Sequence, residues 1–279
     1  MSYKTILVSL NDLQRNHPLL EATAGLARDL EAHLRAIYVI PAVEIYDGAG
    51  PEATIFEGNR QLFTQAEKSV RSAFDSARER FGIRGDIIVI DSTWPDITGH
   101  VIDQARLTDI AIVNQPPGES SFSVVGRNFV ERILLSTGRP TLVLPREGRT
   151  SFGADVVVLG WSGTRESTRA AFDSVPLLKR AKKVEIVWVD PEKNYPHPGS
   201  VPADVLAATL SRHGVNTEIR PASTGGTEAG EALLTVVANS GAELLVMGAY
   251  GHSRLSEMIL GGATKSVLRG MKCPVLFSH

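Results

Sequence analysis

The stretch Thr108-Asp109-Ile110-Ala111-Ile112-Val113 returns later in the chain as Ala242-Glu243-Leu244-Leu245-Val246-Met247. Likewise Arg139-Pro140-Thr141-Leu142-Val143-Leu144 returns as Cys273-Pro274-Val275-Leu276-Phe277-Ser278. Both pairs align without gaps, 134 positions apart (Asp109 with Glu243, Pro140 with Pro274). Upstream, Ala36-Ile37-Tyr38-Val39 matches Ile186-Val187-Trp188-Val189 at an offset of 150, and Ile6-Leu7-Val8 matches Val157-Val158-Leu159 at 151. The pieces follow the same order in both halves, so the chain is one module duplicated. The join falls in the polar, glycine-containing stretch Arg146 to Gly153. It divides the chain into a first domain, 1–147, and a second, 153–279.

The offset drops from 150 to 132 at Gly82 and Gly214, so the first module carries 18 extra residues after its second strand. They lie in a Gly- and Pro-rich region, Pro41 to about Gly58. It is expected to be a long loop whose apolar members, Val43, Ile45, Tyr46, Ile55 and Phe56, suit a lid or a contact surface better than a solvated linker.

Each module alternates strand and helix. In the first, Thr5–Ser9, Leu34–Ile40, Asp86–Ile90, Ile110–Val113 and Thr141–Leu144 are short apolar, β-branched runs. Between them, Phe63, Ala66, Val70, Ala73, Ala77 and Phe81 recur at helical spacing, and Asp96 is placed to cap a further helix. In the second, strands fall near Asp155–Leu159, Val184–Val189, Asn216–Arg220, Leu244–Met247 and Val275–Ser278. Two repeated α/β domains follow, each with a five-stranded parallel sheet and helices on both faces. In such sheets ligands bind beyond the carboxyl ends of the strands, where the strand order reverses. That reversal is expected between strands one and four of each module.

The 279 residues carry a formal charge of −2, which leaves no electrostatic footprint for a nucleic acid or an anionic membrane. One cysteine, Cys273, excludes a disulfide framework and a multi-cysteine zinc site. No apolar run approaches the roughly 20 residues of a membrane span, and the N-terminus lacks a signal peptide, so a cytoplasmic protein is expected. No Walker loop, strand-linked G-x-G-x-x-G or H-E-x-x-H is present. The stretch Gly160-Trp161-Ser162-Gly163-Thr164 falls short of a hydrolase elbow because Thr164 stands at its last glycine. Nothing pairs a nucleophile with a base, so the residues by themselves predict no catalytic site.

The loop after the second module's fourth strand is the most informative. Met247 is followed by Gly248-Ala249-Tyr250-Gly251, nine residues, then Gly261-Gly262-Ala263-Thr264 at the start of a helical stretch. Glycines at a strand end admit close backbone approach, and a pair at a helix start offers backbone N–H groups to an anion. That suits ribose near the first pair and phosphates over the second.

These residues resemble the universal stress protein (UspA-type) family in its tandem two-domain form, whose motif is G-x2-G-x9-G-[ST]. Gly248, Gly251 and Gly261 match it, and Gly262 stands where the family usually has Ser or Thr. The resemblance implies an adenine-nucleotide alpha-hydrolase-like fold and a stress or signalling protein that binds ATP or AMP, with or without Mg. It places Gly160, Trp161, Ser162, Val189, Met247, Gly248, Tyr250, Gly251, Gly261, Gly262, Ala263 and Thr264 around the nucleotide. Thr264 is a partial substitute for the hydroxyl missing at Gly262. The family's usual nucleoside-contacting Asp falls at Ser162, or at Asn11 in the first module, and its adenine-contacting residue at Val189 or Val39. In the first module the motif glycines map to Asn114, Pro117, Arg127 and Asn128, so one nucleotide site per chain is expected. The alternative is a non-nucleotide tandem scaffold acting by association. The apolar strands at Pro140–Leu144 and Pro274–Ser278 point to an internal pseudo-dimer, with homodimerisation left open.

Overall fold

The structure is a computed structural model that describes residues 2–42, 51–116, 126, 128–152, 155–190, 201–251 and 262–279. Its contacts divide the chain into a first unit, Tyr3–Arg139, and a second made chiefly of Pro140–His279.

In the first unit the order is β1 (Thr5–Ser9), α1 (Asn16–Leu30), β2 (His33–Ile40), α2 (Pro51–Phe81), β3 (Gly85–Asp91), α3 (Ile97–Ala105), β4 (Ile110–Asn114) and α4 (Phe129–Ser136). The strands are parallel and lie in the order β3-β2-β1-β4. Strand β1 is therefore flanked by β2 and β4, and the reversal falls where the hydrophobic runs placed it. Ile6, Leu7 and Val8, like Ile110, Ala111 and Ile112, are buried in succession, as expected of strands covered by helices on both faces. Helix α1 ends where Glu31 takes a left-handed conformation (φ 52°), and α3 begins where Asp96 accepts a hydrogen bond from the Thr98 N–H at 3.1 Å.

The 18-residue extension differs from expectation. Helix α2 begins at Pro51, so the stretch from there to Gly58 is helix and not loop. Proline at a first helical position loses no intrahelical hydrogen bond, which lets the helix start there. Val43, Ile45 and Tyr46 lie outside the described residues, as do the side chains of Ile55 and Phe56.

The second unit contains β5 (Thr141–Leu144), β6 (Val156–Trp161), α5 (Arg165–Asp173), α6 (Val175–Leu178), β7 (Lys183–Val189), α7 (Ala203–Arg212), β8 (Thr217–Ala222), α8 (Ala229–Ser240), β9 (Leu244–Gly248), α9 (Gly262–Gly270) and β10 (Val275–Ser278). Its strand order is β5-β10-β9-β6-β7-β8. All neighbours are parallel except β5, which runs antiparallel to β10 with Val143 opposite Val275 and Leu142 opposite Leu276. The repeat assigns β5 to the first module, yet it packs in the second unit. All four β5 residues are buried, and they cover the side of β10 that β9 leaves uncovered.

Three carboxylates, Asp86 on β3, Glu185 on β7 and Asp96 at the start of α3, are held by basic side chains. Burial alone would raise the pKa of Asp86, but hydrogen bonds from His33 and Arg35 bring it below the ordinary value. Glu185 is likewise pushed up by burial and pulled down further by Lys183 (2.6 Å) and Arg220 (2.9 Å). Hydrogen bonds from Arg132 lower Asp96. Each folded pKa lies below its unfolded value. The stabilisation is therefore complete above about pH 4.5 and is lost as pH falls through the folded values. Urea midpoints should hold from pH 7 to pH 5 and drop below pH 4.5. Glu185→Gln should cost about 1.5–3 kcal/mol at pH 7 and flatten that drop. An unchanged acid limb in Glu185→Gln would remove Glu185 from this account.

Candidate functional site

In the second unit β6 lies between β7 and β9. The chain leaves β6 through α5 towards β7, and leaves β9 through α9 towards β10. With right-handed crossovers these exits lie on opposite faces, which opens a crevice at the carboxyl ends of β6 and β9. Helix α5 packs on β6, β9 and β10, whereas α8 packs on β6, β7 and β8 and against α9. The N-terminal turns of α5, α8 and α9 thus border the same crevice.

One wall is the start of α5. Thr164 and Ser167 form a capping box, with the Thr164 N–H donating to Ser167 Oγ at 3.0 Å. The Ser162 hydroxyl meets Thr164 Oγ1 at 3.2 Å. Gly248, the last residue of β9, rests directly on this turn: a Cβ there would lie 2.6 Å from both the Glu166 carbonyl carbon and the Ser167 nitrogen. At Gly251 a Cβ would stand 3.2 Å from Glu166 Oε2 and 3.4 Å from Thr164 Oγ1. The Glu166 side chain is 12% exposed and paired with Arg165 at 3.1 Å.

Neither motif glycine has positive φ. Tyr250 between them makes the left-handed turn instead, with φ 59°. A bulky residue there is strained, and such strain persists only where the surroundings fix it. The Tyr250 N–H donates to Thr264 Oγ1 at 3.3 Å, and the Tyr250 ring meets the His279 ring edge-on at 6.4 Å. His279 Nδ1 lies 3.0 Å from the Ala249 carbonyl oxygen. Thr264 is buried, so its hydroxyl ties the strand end to α9.

Of the other residues expected at the nucleotide, Val189 and Met247 are buried at the ends of β7 and β9. Gly160 faces Leu233 and Met247. Trp161 is buried, and its indole N–H donates to the Val201 carbonyl at 2.8 Å, towards the start of α7. Gly262 opens α9 and is exposed, and Ala263 packs against Gly230 of α8. Gly261 lies outside the described residues. Four residues that the motif does not reveal belong to the crevice: Glu166, Glu228, Ser266 and His279. Asp96 and Arg132, their bonded counterparts in the repeat, point to Glu228 and Ser266.

The corresponding edge of the first unit is stitched shut by its own side chains. Asn11 donates to the Val39 carbonyl at 2.7 Å and accepts from the Val39 N–H at 3.2 Å. Asn16 donates to the Leu10 carbonyl at 2.7 Å, and Arg15 to that of Gln115 at 3.3 Å. Asn114, in the place of Gly248, is buried. Pro117 and Arg127 lie outside the described residues.

Residues 200–279, which supply α8, β9, α9 and β10 to this crevice, match the family model described as the Universal stress protein family. Over that stretch the chain is similar to universal stress proteins. A curated universal stress protein of Synechocystis sp. is 28% identical over 153 residues, and the match spans 54% of this chain and half the length of that relative. Among solved structures, a universal stress protein from Archaeoglobus fulgidus superposes with a TM-score of 0.71 at 16% identity, covering 98% of this chain and 97% of that one. A functionally unknown protein from Pseudomonas aeruginosa PAO1 gives a TM-score of 0.54 at 12% identity, covering 99% and 92%. At these identities the structural matches establish the fold alone. Among the described residues no helix is long and apolar enough to cross a membrane, and no cluster of His, Cys, Asp and Glu could hold a metal ion.

Proposed function

We propose that the second unit, like the universal stress proteins it resembles, binds an adenine nucleotide, at one site per chain, in the crevice between β6 and β9. One observation carries this reading. The loop bearing G-x2-G-x9-G leaves β9 at the strand-order reversal, and Gly248 seats its start on α5 while Thr264 ties it to α9. The glycine spacing therefore coincides with the place where such sheets bind ligands.

The donor set fits the nucleoside end of such a ligand better than its phosphate end. Val189 and Met247 offer apolar surface for a base, and the Gly248–Gly251 turn offers backbone to a ribose. The start of α9 offers N–H groups to an anion, but the Glu228 carboxylate already stands beside it. AMP and ATP are both ligands to test, and Mg²⁺ enters only with the phosphates.

Calorimetric titration of the full chain with AMP and with ATP is expected to give one site per chain. Gly251→Pro, which stiffens the turn and removes an N–H, should weaken binding at least tenfold. Two equivalent sites per chain would contradict the assignment to the second unit. Absence of binding by any adenine compound would leave a scaffold acting by association.

A further inference from the structure

We infer that Glu228 is a built-in anion at the first turn of α9, and that it sets the crevice to take adenosine or AMP in preference to ATP. This deepens the nucleotide reading and rests on it for the identity of the base. The exclusion of phosphate charge is a separate claim and is tested separately.

Glu228 immediately precedes α8. A Cβ built on Gly262, the first residue of α9, would lie 3.3 Å and 3.4 Å from its two carboxylate oxygens. The Ser266 hydroxyl, one turn further along α9, hydrogen-bonds to Glu228 Oε2. The carboxylate thus lies along the turn whose N–H groups would otherwise meet a phosphate.

Packing places Glu228 there. A Cβ on Gly230 would lie 2.5 Å from the Ala263 carbonyl oxygen and 2.9 Å from its Cα. Helices α8 and α9 therefore touch at their first turns, backbone against backbone, which holds the backbone of Glu228 beside the start of α9.

The repeat shows what is peculiar to this half. Asp96, in the place of Glu228, forms a two-pronged pair with Arg132 at 2.8 Å and 2.7 Å. Arg132 occupies the place of Ser266. In the first unit the carboxylate is matched by a cation, which lowers the pKa of Asp96. Among the described residues of the second unit, the partner of Glu228 is the Ser266 hydroxyl, which adds no positive charge. Glu166, under Gly251, adds a second carboxylate on the opposite wall, beside Arg165.

A nucleoside approaching through the base meets the apolar and glycine-lined part of the crevice. Each further phosphate brings negative charge towards Glu228. At a separation of about 6 Å and an effective dielectric near 40, one such like-charge pair weakens binding about tenfold.

The test is titration of the full chain, in buffer free of divalent metal, with adenosine, AMP, ATP and inorganic tripolyphosphate. The wild-type protein is expected to bind adenosine and AMP at least tenfold more tightly than ATP. Glu228→Gln, at an exposed position whose side chain makes no helix-capping bond, should narrow that gap about tenfold. It should do so by raising ATP affinity while leaving adenosine unchanged, and it should raise tripolyphosphate affinity similarly. Ser266→Arg, which copies the first unit's pair, should act in the same direction.

The inference is overturned if wild-type protein binds ATP as tightly as adenosine. It is also overturned if Glu228→Gln shifts adenosine and ATP alike. If no adenine compound binds, the nucleotide reading and the preference built on it both fall. A gain in tripolyphosphate affinity in Glu228→Gln would then support only the exclusion of phosphate, and no gain would overturn that as well.

Discussion

A fragment of residues 153–279 is expected to self-associate, although it contains the whole second copy of the repeat. It lacks β5. In the intact chain Thr141, Leu142, Val143 and Leu144 are buried and pair with Val275, Leu276 and Phe277, which are themselves fully buried. Without β5, β10 presents a row of unpaired backbone groups and apolar side chains to water, the arrangement that invites edge-to-edge pairing. Light scattering after size exclusion should show dimers or larger species, and thermal unfolding should lose its sharp transition. A longer fragment beginning at residue 138 retains β5 and should self-associate less. A monomeric 153–279 fragment that unfolds as cooperatively as the longer one would show the pairing to be dispensable.

The second large effect is expected at Gly248. A methyl group there would press within 2.6 Å of two backbone atoms of α5, which can give way only if the helix moves. Gly248→Ala should cost about 3 kcal/mol, lowering Tm by roughly 10 °C at about 3 °C per kcal/mol. Gly251→Ala meets only the side-chain ends of Glu166 and Thr164, which can rotate away, and should cost under about 1 kcal/mol. Denaturant melts of the two variants without ligand check this. Equal costs would mean that the first motif glycine is not held by packing. If the difference appears, Gly248 is required for the strand to meet the helix at all, whatever the crevice binds.

Much of the fold was legible because short apolar runs and helical stripes are local signals, and the duplication displays each one twice. Ile110–Val113 and Leu244–Met247 read as strands from their own residues, and Asp96 read as a cap from its position before a helical stripe. The start of α2 was not legible. The Gly-Ala-Gly-Pro run at 48–51 looks like loop punctuation, yet the same proline is well suited to begin a helix. The apolar strands at Pro140–Leu144 and Pro274–Ser278 invite pairing from sequence alone, and β5 and β10 do pair; that this seats β5 in the second unit is no local pattern, since its partner lies more than 130 residues away.

The candidate site divides in the same way. The spacing of Gly248, Gly251 and Gly261 is local and visible, and Gly248 and Gly251 do lie at the carboxyl end of β9 against the start of α5. Glu228 sits 34 positions before Gly262 and comes beside it only because Gly230 lets two helices touch. The left-handed residue between the first two motif glycines is Tyr250, held by Thr264 and His279 from other elements, and no local pattern shows it.

The antiparallel pair of β5 and β10 also orders events during synthesis. All four strands of the first unit have left the ribosome once Arg139 has emerged, and they can pair while translation continues. The second unit has no such freedom. Its β5 is made long before β10, and that pairing must wait for Val275–Ser278, which enter the sheet between β5 and β9. Closing so long a loop is slow compared with forming local contacts. During that interval the edge of Leu142, Val143 and Leu144 that pairs with β10 stands without it. A chaperone that captures extended apolar segments would find its target there, and a ribosome stalled before codon 275 would leave the segment exposed.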